Sequence, residues 1–231
     1  MESKEFLQLK GLDPALEARF EELTRLTLEW NEKINVTAIR DPKEFMQKNV
    51  IDSLTLLGRE ELASAKTVLD LGTGGGYPGL PLAMCCPDKE FLLMDAVGNK
   101  LKVVEAVAES LGLTNVRTIH LRAEDMAKDR TYREQFDLVV SRAVANMSTL
   151  SEYCLPFVKV GGNFVAYKTA DASEEIAAAA KALSLLGSAP AGIAEDGIEG
   201  SGHVFVICRK ENPTPAKYPR KAGTPKDDPL H

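Results

Sequence analysis

The residues with the most readable chemistry form the glycine-rich stretch 70–79, DLGTGGGYPG. It follows the aliphatic run 67–69 and leads into LPLAM (80–84), so a strand, a tight turn and a helix are predicted in that order. Glycine reaches backbone conformations with positive φ and leaves no Cβ in the way of a ligand, and a helix N-terminus presents free N–H groups. This stretch, which we call the glycine loop, is therefore predicted to hold a small-molecule cofactor.

Two cofactor patterns overlap in the glycine loop. Residues 74–79 satisfy G-x-G-x-x-G, the fingerprint of dinucleotide-binding folds, with Asp95 at about the expected distance beyond it. Residues 70–76 satisfy the acid-then-glycines pattern of methyltransferases that use S-adenosylmethionine (SAM), through Asp70, Gly72, Gly74 and Gly76. SAM is favoured because Asp70 would face its cationic amino-acid head group, whereas a carboxylate would repel a pyrophosphate. A dinucleotide-binding module without catalysis remains the alternative.

Three further positions follow predicted strands at the same edge of the sheet. Asp95 could accept hydrogen bonds from both ribose hydroxyls, or it could cap the helix that begins after Gly98. The backbone of Ala123 and Glu124 is predicted to lie at the adenine end of the pocket. Arg142 ends the fourth strand, at the crevice where open α/β sheets carry out chemistry, and is our candidate catalytic residue.

Alternating apolar runs and helical stretches predict the elements that position these residues. Residues 1–62 are predicted to be a helical extension, 63–210 the SAM-binding core and 211–231 a tail. Predicted strands lie at 68–69, 91–94, 116–119, 136–140, 164–167 and 203–209, and predicted helices at 80–86, 100–111, 147–158 and 173–186. The fold class is α/β: a Rossmann-like methyltransferase fold with a seven-stranded, mostly parallel sheet that ends in an antiparallel hairpin.

Composition narrows the function classes. The chain has 231 residues, of which 44% are hydrophobic and 27% charged, as in ordinary globular proteins. No run approaches the roughly 20 apolar residues of a membrane helix, and the charged start MESKE is unlike a signal peptide, so we expect a cytoplasmic protein without a membrane partner. The four cysteines lack metal-ligand spacing, so buried thiols and no metal are predicted.

The tail combines prolines with basic residues, although the net charge of the chain is −6. We expect it to be extended and unable to pack a core of its own. It is either a solvated tail, which composition slightly favours, or an arm that follows phosphates.

Longer stretches of the chain resemble one family, RsmG (GidB), bacterial 16S ribosomal RNA (guanine-N7) methyltransferases. The matching motifs are WNEKINVT (30–37), RDP (40–42), DS (52–53), DLGTGGGYPGLPL (70–82), RAE (122–124), SRA (141–143), AYK (166–168) and KYPRKAGTP (217–225). The resemblance implies a SAM site lined by Gly72, Tyr77, Ala123, Glu124 and Arg142. It implies as substrate a guanine in a conserved 16S rRNA loop near the decoding centre.

Two positions depart from the family pattern. Asn49 stands where the family often has histidine, so a catalytic histidine is not supported there. The sequence Ser201-Gly202-His203 lacks an arginine common just before the last strand, which puts RNA contacts at that edge in doubt.

The expected partner is 16S rRNA or the small ribosomal subunit, bound by a monomer. Lys168, Arg220 and Lys221 are predicted to contact RNA phosphates, with Lys168 as a strand-end cation the alternative. Tyr77 or Tyr167 could stack on a base, although core packing is an equally good interpretation of Tyr167. A SAM-dependent methyltransferase of a small molecule or a protein is the alternative enzyme.

Overall fold

The computed structural model describes residues 2–198 and 200–230. One seven-stranded sheet organises them, in the order β3-β2-β1-β4-β5-β7-β6. The strands are β1 (Thr67–Leu71), β2 (Glu90–Asp95), β3 (Val116–His120), β4 (Phe136–Arg142), β5 (Val158–Thr169), β6 (Gly192–Glu195) and β7 (His203–Arg209). The first five strands pair in parallel, and β7 pairs antiparallel with both β5 and β6. The prediction of a parallel sheet ending in an antiparallel hairpin is confirmed.

Helices cover both faces of the sheet. They are α1 (Ser3–Leu9), α2 (Leu16–Asn31), α3 (Pro42–Phe45), α4 (Asp52–Leu54), α5 (Glu60–Ala63), α6 (Gly79–Cys85), α7 (Gly98–Ser110), α8 (Ala123–Met126), α9 (Met147–Cys154), α10 (Ser173–Leu185) and α11 (Thr224–Asp227). A π-helical segment, Met46–Ile51, joins α3 to α4, and a 3₁₀ turn, Leu155–Phe157, follows α9. No helix of the described residues is both long and apolar enough to cross a membrane.

Successive side chains of each strand point to opposite faces of the sheet, so the hydrophobic core has two parts, one on each face. On β1, Val68 packs with the apolar residues of α2, α3 and the π segment, whereas Leu69 packs with those of α9 and α10. The helices before β1 therefore belong to the main core, each through one apolar face. Cys86, Cys154 and Cys208 are buried free thiols, as predicted for them, whereas Cys85 is half-buried.

Two helical segments differ from the predictions in extent or geometry. The helix predicted over 147–158 ends at Cys154, because Pro156 cannot continue an α-helical hydrogen-bond ladder, and Val158 already begins β5. Within the predicted helical extension, residues 42–54 form one continuous helical path, but its centre has π geometry. Such segments are often found at functional sites.

Candidate active site

Three adjoining cavities run along the carboxyl ends of the parallel strands, where open α/β sheets bind ligands. Cavity A, about 340 Å³, lies between the ends of β1 and β2 and helix α8. Cavity B, about 280 Å³, lies between the glycine loop and the helices before β1, and cavity C, about 430 Å³, lies at the ends of β4, β5 and β7. Gly72, Lys100 and Ala143 line both A and B, and Asn49, Arg142 and Ala143 line both B and C. The cavities therefore adjoin one another, and we call the three together the cleft.

A larger cavity, about 670 Å³, lies between α1, α2 and α3. Its lining includes none of the site residues predicted from the sequence. The chemistry-bearing residues concentrate in the cleft, so we place the candidate site there.

The glycine loop has the backbone geometry that its composition predicts. Gly72, Gly74 and Gly76 have φ values of 74°, 58° and 102°, a region that residues with a Cβ rarely adopt. The backbone N–H groups of Gly72 and Thr73 donate to the carbonyl oxygen of Met94, at 2.9 and 3.0 Å, and tie the loop to β2. Glycine is thus required for the turn that opens the cleft.

Asp70 lies beneath the glycine loop and not on the cavity surface. Its side chain is 0% exposed, and its Oδ2 accepts hydrogen bonds from the Thr73 hydroxyl (2.6 Å) and the Gly79 N–H (2.8 Å). Its Oδ1 is buried without a hydrogen-bond partner. Burial raises the pKa of Asp70 to about 6. The expectation of an open carboxylate at the head group is thus corrected to one that supports the loop and keeps one unpaired oxygen.

The unpaired oxygen of Asp70 indicates which charge of cofactor the site suits. A buried acceptor with no donor costs free energy, and a carboxylate buried without a counter-charge costs more. A positive charge in the adjoining cavity would offset that cost. The residues present therefore fit SAM, whose sulfonium and ammonium groups are cationic, better than an anionic dinucleotide.

Asp95 lies at the end of β2 in the wall of cavity A. Its Oδ2 accepts the Gly74 N–H at 2.9 Å and its Oδ1 accepts the Val97 N–H at 2.8 Å. Val97 is itself the N-cap residue of α7, so the alternative in which Asp95 caps that helix is wrong. The interaction with ribose hydroxyls stays a prediction.

Ala123 and Glu124 open α8 and line the same cavity. Both are buried. The Glu124 carboxylate accepts the N–H of Gly223, 2.9 Å away, so a residue of the C-terminal tail reaches cavity A.

Arg142 joins the end of β4 to the π segment. Its guanidinium donates to Asp52 Oδ2 (2.7 Å), to the Lys48 carbonyl oxygen (2.9 Å) and to Asn49 Oδ1 (2.9 Å). Because arginine only donates, the oxygen of the Asn49 amide must face it. The other Asp52 oxygen contacts His203 Nδ1 at 2.8 Å. Sequence reasoning missed Asp52 as the group that holds Arg142; the DS motif at 52–53 was the available indication.

Ala143, the residue after Arg142, lines all three cavities. Its φ is +56°, which is unusual for a residue that carries a Cβ. Strained backbone of this kind concentrates at functional sites.

The two tyrosines proposed for base stacking are packing residues. The Tyr77 hydroxyl lies 2.9 Å from Thr27 Oγ1, and its ring meets Phe45 edge-on. The Tyr167 hydroxyl donates to the Ser53 carbonyl oxygen at 2.8 Å, and its ring meets Phe205 edge-on. Both are buried, so the packing interpretation of Tyr167 is confirmed. Tyr77 also lines cavity B and Tyr167 cavity C.

The cations assigned to RNA contacts have different surroundings. Lys168 pairs with Glu175 at 2.6 Å and donates to the Ala145 carbonyl oxygen, which favours the strand-end cation. Arg220 pairs with the buried Glu152 at 2.8 Å, so its charge is already neutralised. Lys221 is exposed and has no ion-pair partner among the described residues. Of these three, Lys221 alone keeps a free charge for a phosphate.

The tail does not extend from the core as its composition suggested. Tyr218 and Pro225 are buried, and Tyr218 belongs to the core on the α9 side of the sheet. Its prolines direct the chain along the surface of the core, and specific polar contacts fix it there. The tail therefore packs against the core of the sheet, and the interpretation of it as a solvated tail is wrong.

A substitution of Gly74 tests whether the loop faces a ligand. A Cβ at Gly74 would meet nothing within 4 Å, so Gly74→Ala should cost about 1–2 kcal/mol of stability from its positive φ alone. We expect cofactor affinity to fall at least tenfold, about 1.4 kcal/mol, because the methyl group enters cavity B. Calorimetry with SAM and denaturant unfolding measure the two effects.

Gly11 provides the matched control. Its φ is +63° and a Cβ there would also meet nothing within 4 Å, but it lies between α1 and α2 and lines none of the three cavities. Gly11→Ala should cost the same stability and leave cofactor affinity unchanged. Equal cofactor affinity in both variants would remove the glycine loop from the binding site.

Comparison with known proteins identifies similar sequences over most of the chain. The family GidB, described as rRNA small subunit methyltransferase G, matches residues 16–197. The protein named Ribosomal RNA small subunit methyltransferase G of Clostridium novyi (strain NT) is 46% identical over 207 residues, which cover 89% of this chain and 85% of the relative. The protein of the same name from Desulfitobacterium hafniense (strain Y51) is 44% identical over 205 residues, covering 88% and 84%.

Solved structures share the fold at low identity. A putative O-methyltransferase from Klebsiella pneumoniae has a TM-score of 0.56 and 17% identity, and covers 87% of this chain and 91% of that one. The SAM-dependent methyltransferase SibL in its apo form has a TM-score of 0.58 and 18% identity, covering 73% and 56%. These likenesses support the Rossmann-like methyltransferase fold.

Proposed function

Because this chain belongs to the rRNA small subunit methyltransferase G family, we propose that it transfers the methyl group of SAM to N7 of a guanine in 16S rRNA. The coarser activity, SAM-dependent methylation of small-subunit rRNA, follows from that membership. The assignment of guanine N7 as the methylated atom is the part that we propose.

The observation that carries the proposal is the cleft lined by the glycine loop, with the unpaired Asp70 oxygen buried beneath that loop. Cavity A, beside Asp95, Ala123 and Glu124, suits the adenosine end of SAM. Cavity B, above the glycine loop, suits the amino-acid end. Cavity C then remains for the target base, on the side of Arg142.

Guanine N7 carries an available lone pair and no proton, so its methylation needs no general base before attack. When bound, SAM supplies an electrophilic methyl group on a good leaving group. The task of the protein is therefore orientation, which alone can contribute several kcal/mol to a reaction of two bound partners. Cavities B and C meet at Asn49, Arg142 and Ala143, so these residues would set the approach of the base to the methyl group.

Arg142 acts in this proposal as a positioning residue. Its bonds to Lys48, Asn49 and Asp52 fix the π segment against the end of β4, and that segment lies between cavities B and C. The helices before β1 thus contribute one wall of the cleft in addition to their packing role.

The substrate would be 16S rRNA, free or within a small-subunit particle. Lys221 is the proposed phosphate contact, since its charge is exposed and unpaired within the described part of the chain. The proposed location is the cytoplasm, where ribosomes are assembled, and the proposed form is a monomer.

The decisive experiment measures transfer from tritiated SAM to ribosomal material of cells that lack the gene. Purified 16S rRNA and isolated small subunits serve as acceptors, and nucleoside analysis identifies the product. We expect 7-methylguanosine in one of the two acceptors. No incorporation, or methylation of another base, contradicts the proposal, and transfer to free nucleosides or peptides instead favours the alternative enzyme.

Arg142→Lys tests the positioning role. Lysine keeps the charge, but it lacks the planar fork needed to reach Asp52, Asn49 and the Lys48 carbonyl together. We expect kcat to fall about tenfold to a hundredfold, the effect of misplacing reacting groups by about 1 Å. The KM for SAM should change little, since the Asp70 and Asp95 contacts remain. Steady-state kinetics with rRNA separate the two constants.

Arg25→Lys is the control. Arg25 pairs with Glu22 and Glu29 on the exposed face of α2, where ion pairs are worth little. It should leave both constants unchanged. A rise in the KM for SAM with unchanged kcat in Arg142→Lys would instead make Arg142 a cofactor ligand.

A further inference from the structure

The C-terminal tail forms a fixed band across one side of the core. We call residues 214–228 the strap. At its start, the Arg133 guanidinium donates to the carbonyl oxygens of Thr214 and Tyr218, both at 2.8 Å. The buried ring of Tyr218 packs into the core beside these contacts. The strap therefore begins from an ordered anchor.

Helix α9 holds the middle of the strap. Glu152, 0% exposed, accepts the backbone N–H of Arg220 at 2.7 Å and pairs with its guanidinium at 2.8 Å. The Thr149 hydroxyl donates to the Pro225 carbonyl oxygen at 2.9 Å. Thr149 and Glu152 are three positions apart and share one face of the helix. Both contacts direct residues 220–225 over the same surface.

Between those anchors the strap reaches cavity A. The Gly223 N–H donates to the buried carboxylate of Glu124, and Gly223 and Lys226 line the cavity together with Asp95. The φ of Gly223 is +91°, a conformation that brings its N–H toward Glu124 and that other residues rarely adopt. A segment outside the sheet thus supplies part of the cavity wall.

We infer that the strap is a structural wall of the cofactor site, with Gly223 and Lys226 as cofactor-site residues. The inference rests on the proposed function, since it takes SAM as the occupant of cavity A. Ligand pockets bury most of the surface of a small ligand, so displacing one wall weakens binding without touching the glycine loop. The strap thus serves cofactor binding through Gly223 and Lys226, while the exposed Lys221 stays the proposed phosphate contact.

Hydrogen–deuterium exchange on the unaltered protein gives the first test. Saturating SAM should slow exchange of backbone amides in residues 218–228 as well as in the glycine loop. Residues 192–195, on β6 at the far edge of the sheet, serve as the internal reference and should not change. Protection of the glycine loop without protection of 218–228 overturns the inference and leaves the proposed function intact.

Gly223→Ala in the full chain gives the second test. A Cβ there has room, with its nearest neighbour 3.9 Å away, so the change acts through φ and shifts the N–H away from Glu124. We expect the Kd for SAM, measured by calorimetry without RNA, to rise about tenfold, or about 1.4 kcal/mol. Gly112→Ala, at φ +64° between α7 and β3 and also with open space, should leave that Kd unchanged.

The outcomes separate this inference from the proposed function. If the unaltered protein binds no SAM by calorimetry, the proposed function fails and the inference with it. If it binds SAM and Gly223→Ala binds SAM equally well, the inference that the strap is a wall of the cofactor site is wrong and the proposed function stands. If 16S rRNA without SAM protects 218–228 and SAM does not, the strap is an RNA-contacting arm.

Discussion

Replacing Arg220 with alanine is expected to lower the free energy of unfolding by about 3–5 kcal/mol, the usual cost of leaving a buried charge without its partner. Glu152 is 0% exposed, and its two carboxylate oxygens take three hydrogen bonds from the Arg220 guanidinium. Without that partner the carboxylate must either remain uncompensated or force the strap open to water. Urea unfolding followed by circular dichroism measures the change.

Lys221→Ala is the neighbouring control. Its side chain is exposed and unpaired among the described residues, so stability should stay within about 0.5 kcal/mol. Adding Glu152→Gln to Arg220→Ala removes the buried charge and should restore part of the lost stability. A loss below about 1 kcal/mol for Arg220→Ala would mean that Glu152 is hydrated in solution.

Replacing Asp70 with asparagine should separate stability from cofactor affinity. Both hydrogen bonds to Asp70 end on the same oxygen, so the single oxygen of an asparagine amide can accept them, and its NH₂ group takes the place of the unpaired Oδ1. The variant loses a buried charge and should be at least as stable as the unaltered protein at pH 7. It should also bind SAM about tenfold to a hundredfold more weakly, because a charge pair in a partly buried site is worth a few kcal/mol.

The raised pKa of Asp70 predicts the direction in which stability and SAM affinity change with pH. Burial raises the pKa of Asp70 to about 6 from an ordinary 3.8. Between those values the folded state holds a proton that the unfolded state has released, so this group's contribution to stability falls as pH rises toward 6. Asp70→Asn should remove that slope. SAM affinity of the unaltered protein should rise through pH 6 as the carboxylate ionises.

Calorimetric titrations from pH 5 to 8 on both proteins check these expectations. The ionisation of SAM itself is common to both, so the difference between the two curves reports Asp70. Equal affinity at pH 7 would show that the carboxylate supports the loop without acting on the ligand.

The sheet could be predicted because its signals are local. Each parallel strand is a short apolar run followed by a helical stretch, as in 91–94 before 100–111. The positive φ of Gly72, Gly74 and Gly76 follows from the residue type. Pattern and backbone preference agree at these positions, so no distant contact was needed to interpret them.

The strap and the environment of Asp70 could not be predicted for the opposite reason. Proline-rich composition indicates an extended chain, but whether that chain packs depends on Glu152, 68 positions before Arg220. Burial of Asp70 depends on how Thr73 and Gly79 close over it. Composition shows charges in the tail without showing which are paired, and for that reason it predicts an RNA contact for Arg220, which Glu152 already pairs.

The positive φ of Ala143 affects which substitutions selection would favour at this position. A glycine at φ +56° carries no Cβ penalty, so Ala143→Gly offers a gain in heat resistance through a single substitution. The same change would loosen the backbone where the three cavities meet. Lineages selected for turnover should keep a side chain at this position, whereas selection for heat resistance alone should favour its loss, the trade-off expected where a working site holds strain.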